Sequence, residues 1–255
     1  MGIEQTFDII FGLHSIAAAL KNPLRQHEKL VATDEGLIEL QKKHNIQAKK
    51  IEIRLEIVSS HQLQELGKRY CAELDVEFHR VPSGMFLKTS PLETYDLQSI
   101  IKKPEVKLLA LDQITDVHNG AAILRTASFY GIDAVLIPSS KSFGLTPSFY
   151  RIASGATEFI QLIRVNSLSR AVSQLNDAGI ETIGLSEHSE SSLAQEELRS
   201  KKRICLLLGA EETGLSHAVS RLVQKNMSLT SQGGIKSLNV SAASAIAMEK
   251  CFGVS

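Results

Sequence analysis

The sequence contains no tryptophan and only three cysteines among its 255 residues. Cys71, Cys205 and Cys251 are odd in number and far apart, a pattern typical of reduced thiols rather than of a disulfide framework or a zinc site. Because no apolar run reaches about 18 residues, the sequence predicts no membrane span. The stretch MGIEQTFDII lacks a basic region followed by a long apolar core, so we expect no signal peptide and a cytoplasmic location.

Neither sign of charge is in excess, because 28 Lys and Arg balance 28 Asp and Glu. Residues 1–103 carry 14 of each sign, and the rest of the chain carries the same numbers. This balance excludes a bulk polycation, so any contact with nucleic acid must be a local patch. The densest basic cluster comprises Lys42, Lys43, Lys49, Lys50 and Arg54. It is interpreted either as a solvated helix end and loop or as such a patch.

The first 88 residues alternate helical and extended patterns. Helices are predicted over 13–20, 35–44 and 61–74, and strands over 29–32, 51–58, 76–81 and 85–88. This alternation predicts a small α/β domain over 1–88. The segment 89–105 has two prolines and mixed polarity, which indicates a linker to the next domain.

From residue 106 onward, short apolar runs alternate with helical stretches. The runs VKLLALD, DAVLIP, FIQLIRV, ETIGLS and ICLLLGA have little polar alternation, as expected for strands covered on both faces. Helices are predicted between and after them over 119–130, 148–157, 168–178, 216–223 and 238–252. The pattern therefore predicts an α/β domain over 106–255, with a parallel sheet flanked by helices. The last helix is rich in Ala and Ser, which favours close packing against protein.

Ligands of open α/β sheets bind at the carboxyl ends of the strands, so the loops after the apolar runs are candidate sites. After VKLLALD comes QITDVHNGAAILRTA, in which Asn119 and Gly120 are candidates to cap the next helix. Arg125 lies farther along that helix among apolar neighbours, so it must extend to solvent, pair with an acid or face a cleft. The residues alone leave both a structural ion pair and a functional role open.

Two later loops are also candidates. The loop after ICLLLGA has Gly209 and Gly214 around the adjacent Glu211 and Glu212. Adjacent side chains tend to point apart, so this pair favours a paired-carboxylate hydrolase only weakly. In LTSQGGIKSLNVS, Ser237 is the predicted N-cap of the last helix, and a second polar side chain follows in its first turn.

Familiar signatures of other classes are missing. No G-x-G-x-x-G follows a predicted strand, and no P-loop or G-x-S-x-G nucleophile elbow occurs. The eight histidines do not cluster at metal-ligand spacing. His118 is the only histidine near the first candidate loop, and the polarity of a loop explains it as well as a functional role does. We therefore expect no metal site.

Three segments resemble, in order, the motifs of the SpoU/TrmH family of RNA 2′-O-ribose methyltransferases, which belongs to the SPOUT class. They are DQITDVHNGAAILRTASFYGIDAVLIP, LLLGAEETGL and LTSQGGIKSLNVSAASAIAMEK. The first domain, with FGLHSIAAAL and VPSG, resembles the substrate-binding domain of the 23S ribosomal RNA guanosine methyltransferases of this family. The resemblance implies a trefoil-knotted SPOUT domain after a small L30e-like domain. It also implies S-adenosyl-L-methionine as cofactor, RNA as partner and a homodimer through the last helix.

The resemblance also assigns roles to residues. It places Arg125 at the reacting hydroxyl and a neighbouring phosphate, with Asn119 positioning it. We assign Arg125 to orientation and phosphate binding. Proton acceptance is a secondary role for it, because a guanidinium keeps its own proton to very high pH. Glu211, Ser237 and Asn239 would organise the pocket. The cofactor would be held largely through the backbone at Gly209, Ala210, Glu211, Gly214, Leu229 and Leu238.

Two positions depart from the family pattern. Val117 and Thr230 stand where the family usually has proline, and the loss of proline lets a loop sample more conformations. The affinity for the cofactor is the property that these changes bear on. The resemblance thus implies an RNA 2′-O-methyltransferase with 23S ribosomal RNA as substrate. A transfer RNA enzyme and a non-catalytic RNA-binding protein that kept the fold are the alternatives.

Overall fold

The computed structural model describes residues 6–93, 95–186, 198–229, 231–235 and 237–253. The chain forms two compact units. Unit 1 comprises Met1–Glu93 and Leu145–Glu158, and unit 2 comprises Thr94–Gly144 and Phe159–Ser255. Among the described helices, none combines the length and apolar character that a bilayer crossing requires.

Unit 1 is built on a four-stranded mixed sheet in the order β1-β4-β2-β3. Its strands are β1 (Asp8–Phe11), β2 (His27–Ala32), β3 (Arg54–Ile57) and β4 (Met85–Thr89). Its first helices are α1 (Leu13–Lys21), α2 (Asp34–His44) and α3 (Ser60–Glu73). Side chains alternate along the strands, so Ile10 and Leu30 pack with α1 and α2 while Ile9 and Val31 pack with α3. The two helix layers therefore cover opposite faces of the sheet.

Unit 1 differs from the sequence prediction at two strands. The run Asp8–Phe11 was not predicted as a strand, although all four of its residues are buried. The predicted strand over 76–81 is wrong, because the Gln64 side chain of α3 accepts from the Val81 N–H at 2.8 Å and donates to the Val81 carbonyl at 3.1 Å. A side chain thus replaces the strand partner that this backbone would otherwise need.

Unit 2 contains a six-stranded parallel sheet in the order β10-β8-β9-β5-β6-β7. The strands are β5 (Val106–Leu111), β6 (Ala134–Pro138), β7 (Gln161–Val165), β8 (Glu181–Leu185), β9 (Arg203–Leu208) and β10 (Lys225–Met227). The helices are α4 (Leu97–Ile100), α5 (Val117–Phe129), α7 (Leu168–Asp177), α8 (His217–Ser220) and α9 (Val240–Phe252). All five apolar runs form strands, which confirms the predicted α/β class with a parallel sheet.

Both predicted caps in unit 2 are wrong. Helix α5 begins two residues before Asn119, because the carboxylate of Asp116 accepts from the Asn119 N–H at 2.7 Å and caps the helix. Helix α9 begins at Val240 with Asn239 as its N-cap, since the Asn239 side chain accepts from the Ser241 N–H at 2.9 Å. Ser237 therefore lies before the helix and caps nothing.

The segment Leu145–Glu158 lies between β6 and β7 in the chain but belongs to unit 1. The Arg25 side chain is fully buried and forms ion pairs with Asp8 at 2.6 Å and with Glu158 at 2.9 Å. The Tyr150 hydroxyl donates to the same carboxylate of Asp8 at 2.6 Å. The predicted limits 1–88, 89–105 and 106–255 treat each domain as one continuous stretch, and this network ties a later segment into the first unit instead. Helix α6 (Pro147–Ala153) lies in that segment.

The predicted linker 89–105 is not structureless. It contains α4, whose Leu97 and Ile100 are buried in the core of unit 2. Thr89, at its start, is the last residue of β4.

Candidate active site

Three loops meet at the carboxyl edge of the sheet of unit 2. They follow β5, β9 and β10; Glu211 and Asn239 lie in the second and third, and Asn119 lies in the first turn of α5, directly after the first. The Asn239 side-chain amide donates to Asn119 Oδ1 at 3.0 Å and to Glu211 Oε2 at 3.2 Å. The expected meeting of the three motifs is therefore observed, and one asparagine joins them.

The position of Asn239 follows from its place in the chain. As the N-cap of α9, its side-chain oxygen accepts from the backbone N–H of Ser241 at 2.9 Å. That bond leaves the amide N–H group for the other two loops. The helix cap and the contact between loops thus use opposite ends of one amide.

The loop after β9 closes tightly on itself. Ala210 and Gly214 exchange two backbone hydrogen bonds, of 3.1 and 2.8 Å. A Cβ at Gly209 would lie 2.0 Å from the carbonyl carbon of Gly214, so only glycine fits there. Gly214 has φ of 64°, which glycine adopts without strain. The loop therefore offers bare backbone to a neighbouring ligand.

A cleft of about 640 Å³ adjoins the loops after β9 and β10. The residues predicted to bind cofactor all line it: Gly209, Ala210, Glu211, Gly214, Leu229 and Leu238. Ser237 also lines the cleft and is exposed. The volume lies within the range of about 300–1,000 Å³ that is usual for small-molecule sites.

Arg125 is exposed on α5 and does not line the cleft. Within the part of the chain that the structure describes, its guanidinium has no hydrogen bond or ion pair. The structural ion-pair interpretation is therefore wrong for Arg125. His118 is exposed on the same helix, and Glu212 lines the cleft beside Glu211.

The sequence analysis missed Asp112, a buried acid at the end of β5 that holds the glycine loop in place. Its side chain is 4% exposed, and its carboxylate accepts from the backbone N–H of Ser216 at 2.7 Å. This bond ties the end of β5 to the chain just after the glycine loop. An acid that ends an apolar strand was the available signal. Asn226 of the cleft lining was also missed, because β10 is only three residues long and produces no apolar run. Lys250, near the end of α9, lines the cleft too and was not predicted.

The two positions that depart from the family pattern differ in what the structure describes. Val117 is the first residue of α5, directly after the capping Asp116. Thr230 lies outside the described residues. Next to it, the Ser231 hydroxyl donates to the Ile235 carbonyl at 2.5 Å, and a side chain thereby stabilises this loop.

Metal ligands do not cluster in this region. Across residues 6–93, 95–186, 198–229, 231–235 and 237–253, no group of three or more His, Cys, Asp and Glu side chains could hold a metal ion.

A parallel sheet with loops meeting at its carboxyl edge beside a cleft defines an α/β protein of the ligand-binding kind. The model of the SpoU rRNA methylase family matches residues 107–249, and a model for RNA 2′-O ribose methyltransferase substrate binding matches residues 9–70. The chain belongs to the SpoU rRNA methylase family.

Similar proteins cover nearly the whole chain. The 23S rRNA (guanosine-2′-O-)-methyltransferase RlmB of Shewanella oneidensis is 30% identical over 94% of this chain and 95% of its own length. Its counterpart in Pseudomonas putida is 28% identical over 94% of this chain and 93% of its own. Among solved structures, the SpoU methyltransferase AviRb of Streptomyces viridochromogenes, in complex with AdoMet, has a TM-score of 0.78 at 17% identity. It covers 98% of this chain and 93% of its own, and it shares the fold.

Proposed function

We propose that this chain is an S-adenosyl-L-methionine-dependent methyltransferase that modifies a ribose 2′-hydroxyl of 23S ribosomal RNA. Its membership of the SpoU rRNA methylase family supports the reaction, and full-length relatives named for 23S rRNA support the substrate. The observation that carries the proposal is the Asn239 amide bonded to both Asn119 and Glu211, because it joins the three family motifs at one edge of the sheet.

The cleft beside these loops suits the cofactor. Its glycine loop presents backbone donors and acceptors, while Leu229 and Leu238 supply apolar surface. Glycine at position 209 lets this loop close on itself beside the cleft, because a Cβ there would collide with the backbone of Gly214. S-adenosylmethionine, when bound, supplies a methyl group already activated by its sulfonium. The cofactor in the AviRb complex supports this assignment.

The remaining chemistry falls to the protein. A ribose 2′-hydroxyl holds its proton tightly, so the site must align the oxygen and accept the proton. We assign Arg125 to an RNA phosphate near the reacting hydroxyl, since its guanidinium has no acid partner among the described residues. Asn119 would position Arg125, and Glu211, Ser237 and Asn239 would organise the pocket.

The proposal extends to the assembly. Unit 1 would recruit RNA with an L30e-like fold, and unit 2 would form a trefoil-knotted catalytic domain. A homodimer through α9 is supported by the small residues of this helix and by Ile246, which is 42% exposed on it. We place the reaction in the cytoplasm.

Methyl transfer is tested with the purified chain, radiolabelled cofactor and two substrates, a 23S rRNA transcript and transfer RNA. We expect label in 23S rRNA only, at a ribose that alkaline-cleavage mapping then locates. Label in transfer RNA alone would overturn the substrate. A folded sample that neither transfers methyl nor binds S-adenosylmethionine by calorimetry would overturn the enzyme and leave an RNA-binding protein.

Replacing Arg125 with alanine tests its role. We expect turnover to fall about 100-fold, since removing one oriented cationic or hydrogen-bonding group from a reaction centre typically costs that much. Cofactor affinity should stay within about twofold, because Arg125 does not line the cleft. Arg170→Ala, at another exposed arginine of unit 2, is the matched control and should be neutral. Near-normal turnover in Arg125→Ala would show that the assignment is wrong.

A further inference from the structure

A second cleft, of about 390 Å³, lies in unit 1 between the end of α1 and the chain just after α2. Its apolar lining is Leu20, Ile46 and Ile51. Its polar lining is Lys21, Asn45, Gln47 and Lys50. We call it the basic cleft. The polar residues are all exposed, whereas Leu20 and Ile46 are buried beneath them.

The cations around the basic cleft are largely uncompensated. Lys43 forms an ion pair with Glu39 at 2.6 Å. By contrast, four lysines here have no acid partner in the described part of the chain: Lys21, Lys42, Lys49 and Lys50. The balanced charge of the whole chain therefore hides a local excess of positive charge.

Helix stability accounts for only some of these lysines. Lys21 ends α1 and Lys42 lies in the last turn of α2, where a cation favours the helix dipole. Lys49 and Lys50 lie outside both helices, in the short 3₁₀ turn Ala48–Lys50. That turn needs neither charge, yet it brings Lys50 to the same cleft as Lys21.

The positive charge around the basic cleft affects the pKa of His44. Burial lowers the pKa of His44, and the nearby charges of His14, Lys21 and Lys43 lower it further. The two histidine rings meet edge to face with centroids 4.9 Å apart. The end of α2 is thus electropositive in its surroundings as well as in its sequence.

We propose that the basic cleft binds one nucleotide of the RNA substrate other than the methylated one. Lys21 and Lys50 bind its phosphates, and the exposed edge of Ile51 contacts the ribose or base. This inference rests on the proposed function, and it assigns one surface within the segment 9–70 that matches the substrate-binding model.

The polar residues of the cleft indicate an unpaired nucleotide rather than a duplex. The Oδ1 of Asn45 accepts from the Gln41 side chain at 3.1 Å, which leaves the N–H group of Asn45 for an acceptor on a base edge. RNA sequences are read mainly in loops and bulges, whose bases are free to enter such a cleft. A phosphate-only site would need the lysines but neither amide.

The test measures binding of the full chain to a fluorescent 23S rRNA transcript by anisotropy at several salt concentrations. We expect Lys21→Gln with Lys50→Gln to weaken binding about tenfold and to reduce the slope of log K against log salt by about 0.7 per lysine. Affinity for S-adenosylmethionine, measured by calorimetry, should not change. Lys68→Gln is the matched control, because Lys68 is exposed on α3 at the opposite face of the sheet.

A second variant separates base contacts from charge. Asn45→Ala with Gln47→Ala should leave the salt slope unchanged but reduce the preference for the cognate transcript over a scrambled one. A wild-type slope in the double lysine variant would overturn the basic cleft, while methylation by the wild-type chain would leave the proposed function standing. If the wild-type chain neither bound nor methylated RNA, the proposed function itself would fail.

Discussion

Asn239 performs two tasks that a substitution can separate. Asn239→Asp keeps an oxygen to cap α9 but loses the N–H that reaches Asn119 and Glu211, and adds a charge beside the latter. We expect methyl transfer to fall at least about tenfold while the free energy of unfolding stays within about 1 kcal/mol. Asn239→Ala should lose activity and also about 1 kcal/mol through the cap. Assays of methyl transfer and urea unfolding of the two variants measure these effects. An active Asn239→Asp would mean that the contact between loops is dispensable.

At this scale the sequence predicted which residues meet but not how each is held. Asn119 and Glu211 could be found because each follows an apolar strand, and parallel strands end at one edge. Asn239 was found through the resemblance of its segment to the third family motif. The caps were misassigned because several cap-forming side chains stand close together. Asp116 stands three residues before Asn119, and Ser237 two before Asn239, so local pattern does not say which side chain reaches the free N–H.

At the scale of elements, a cluster of ion pairs joins β8 and β10, and its contribution to stability depends on pH. Glu181 pairs with Lys225 at 2.8 Å and with Lys201 at 3.0 Å. Burial alone would raise the pKa of Glu181, but the hydrogen bonds and charges of the two lysines outweigh it and lower that pKa below its usual 4.5. Because the folded pKa lies below the unfolded one, the stabilisation is present above about pH 4.5 and is lost as pH falls through the folded pKa.

The lowered pKa of Glu181 predicts how the stability of the protein changes with pH. Urea unfolding of the wild-type chain between pH 6 and pH 3 should show the free energy of unfolding falling as pH drops. Glu181→Gln should lower that free energy at pH 6 and make its pH dependence shallower. Glu65→Gln, at an exposed carboxylate of α3, serves as control and should leave the profile unchanged. Parallel profiles for all three proteins would contradict the role of the cluster.

The sequence predicted strands correctly where both faces of the strand are buried. The five apolar strands of unit 2 could be read from the sequence because both faces are covered. Strand β10, with three residues, is too short for any period to appear. The stretch 76–81 carries a strand-like pattern, yet the Gln64 side chain satisfies the Val81 backbone, a contact between residues 17 apart that no local pattern contains.

At the scale of the molecule, unit 1 is assembled from two separate stretches of chain. The sequence did not reveal this, because a helical pattern over 148–157 says that α6 buries a face but not against which partner. Its Tyr150 is 1% exposed within the core of unit 1. The buried Arg25 network then fixes the segment where hydrophobic contact alone would be unspecific.

A fragment of residues 1–93 should therefore fold poorly. Without Glu158 and Tyr150, Arg25 loses one of its two ion pairs and the sheet loses the cover of α6. We expect broad, non-cooperative thermal unfolding by circular dichroism. The same fragment joined by a Gly/Ser linker to residues 145–158 should unfold cooperatively. Equal melting of the two fragments would show that the segment is dispensable.

The split composition of unit 1 also sets a schedule for biosynthesis. Domains usually fold in order as the polypeptide leaves the ribosome, amino-terminal first. Here the nascent chain must be translated through β6 and as far as Glu158 before the first unit has all its parts. Until then its β-sheet is left without α6, and the emerging protein depends on trailing residues to finish what its leading residues began.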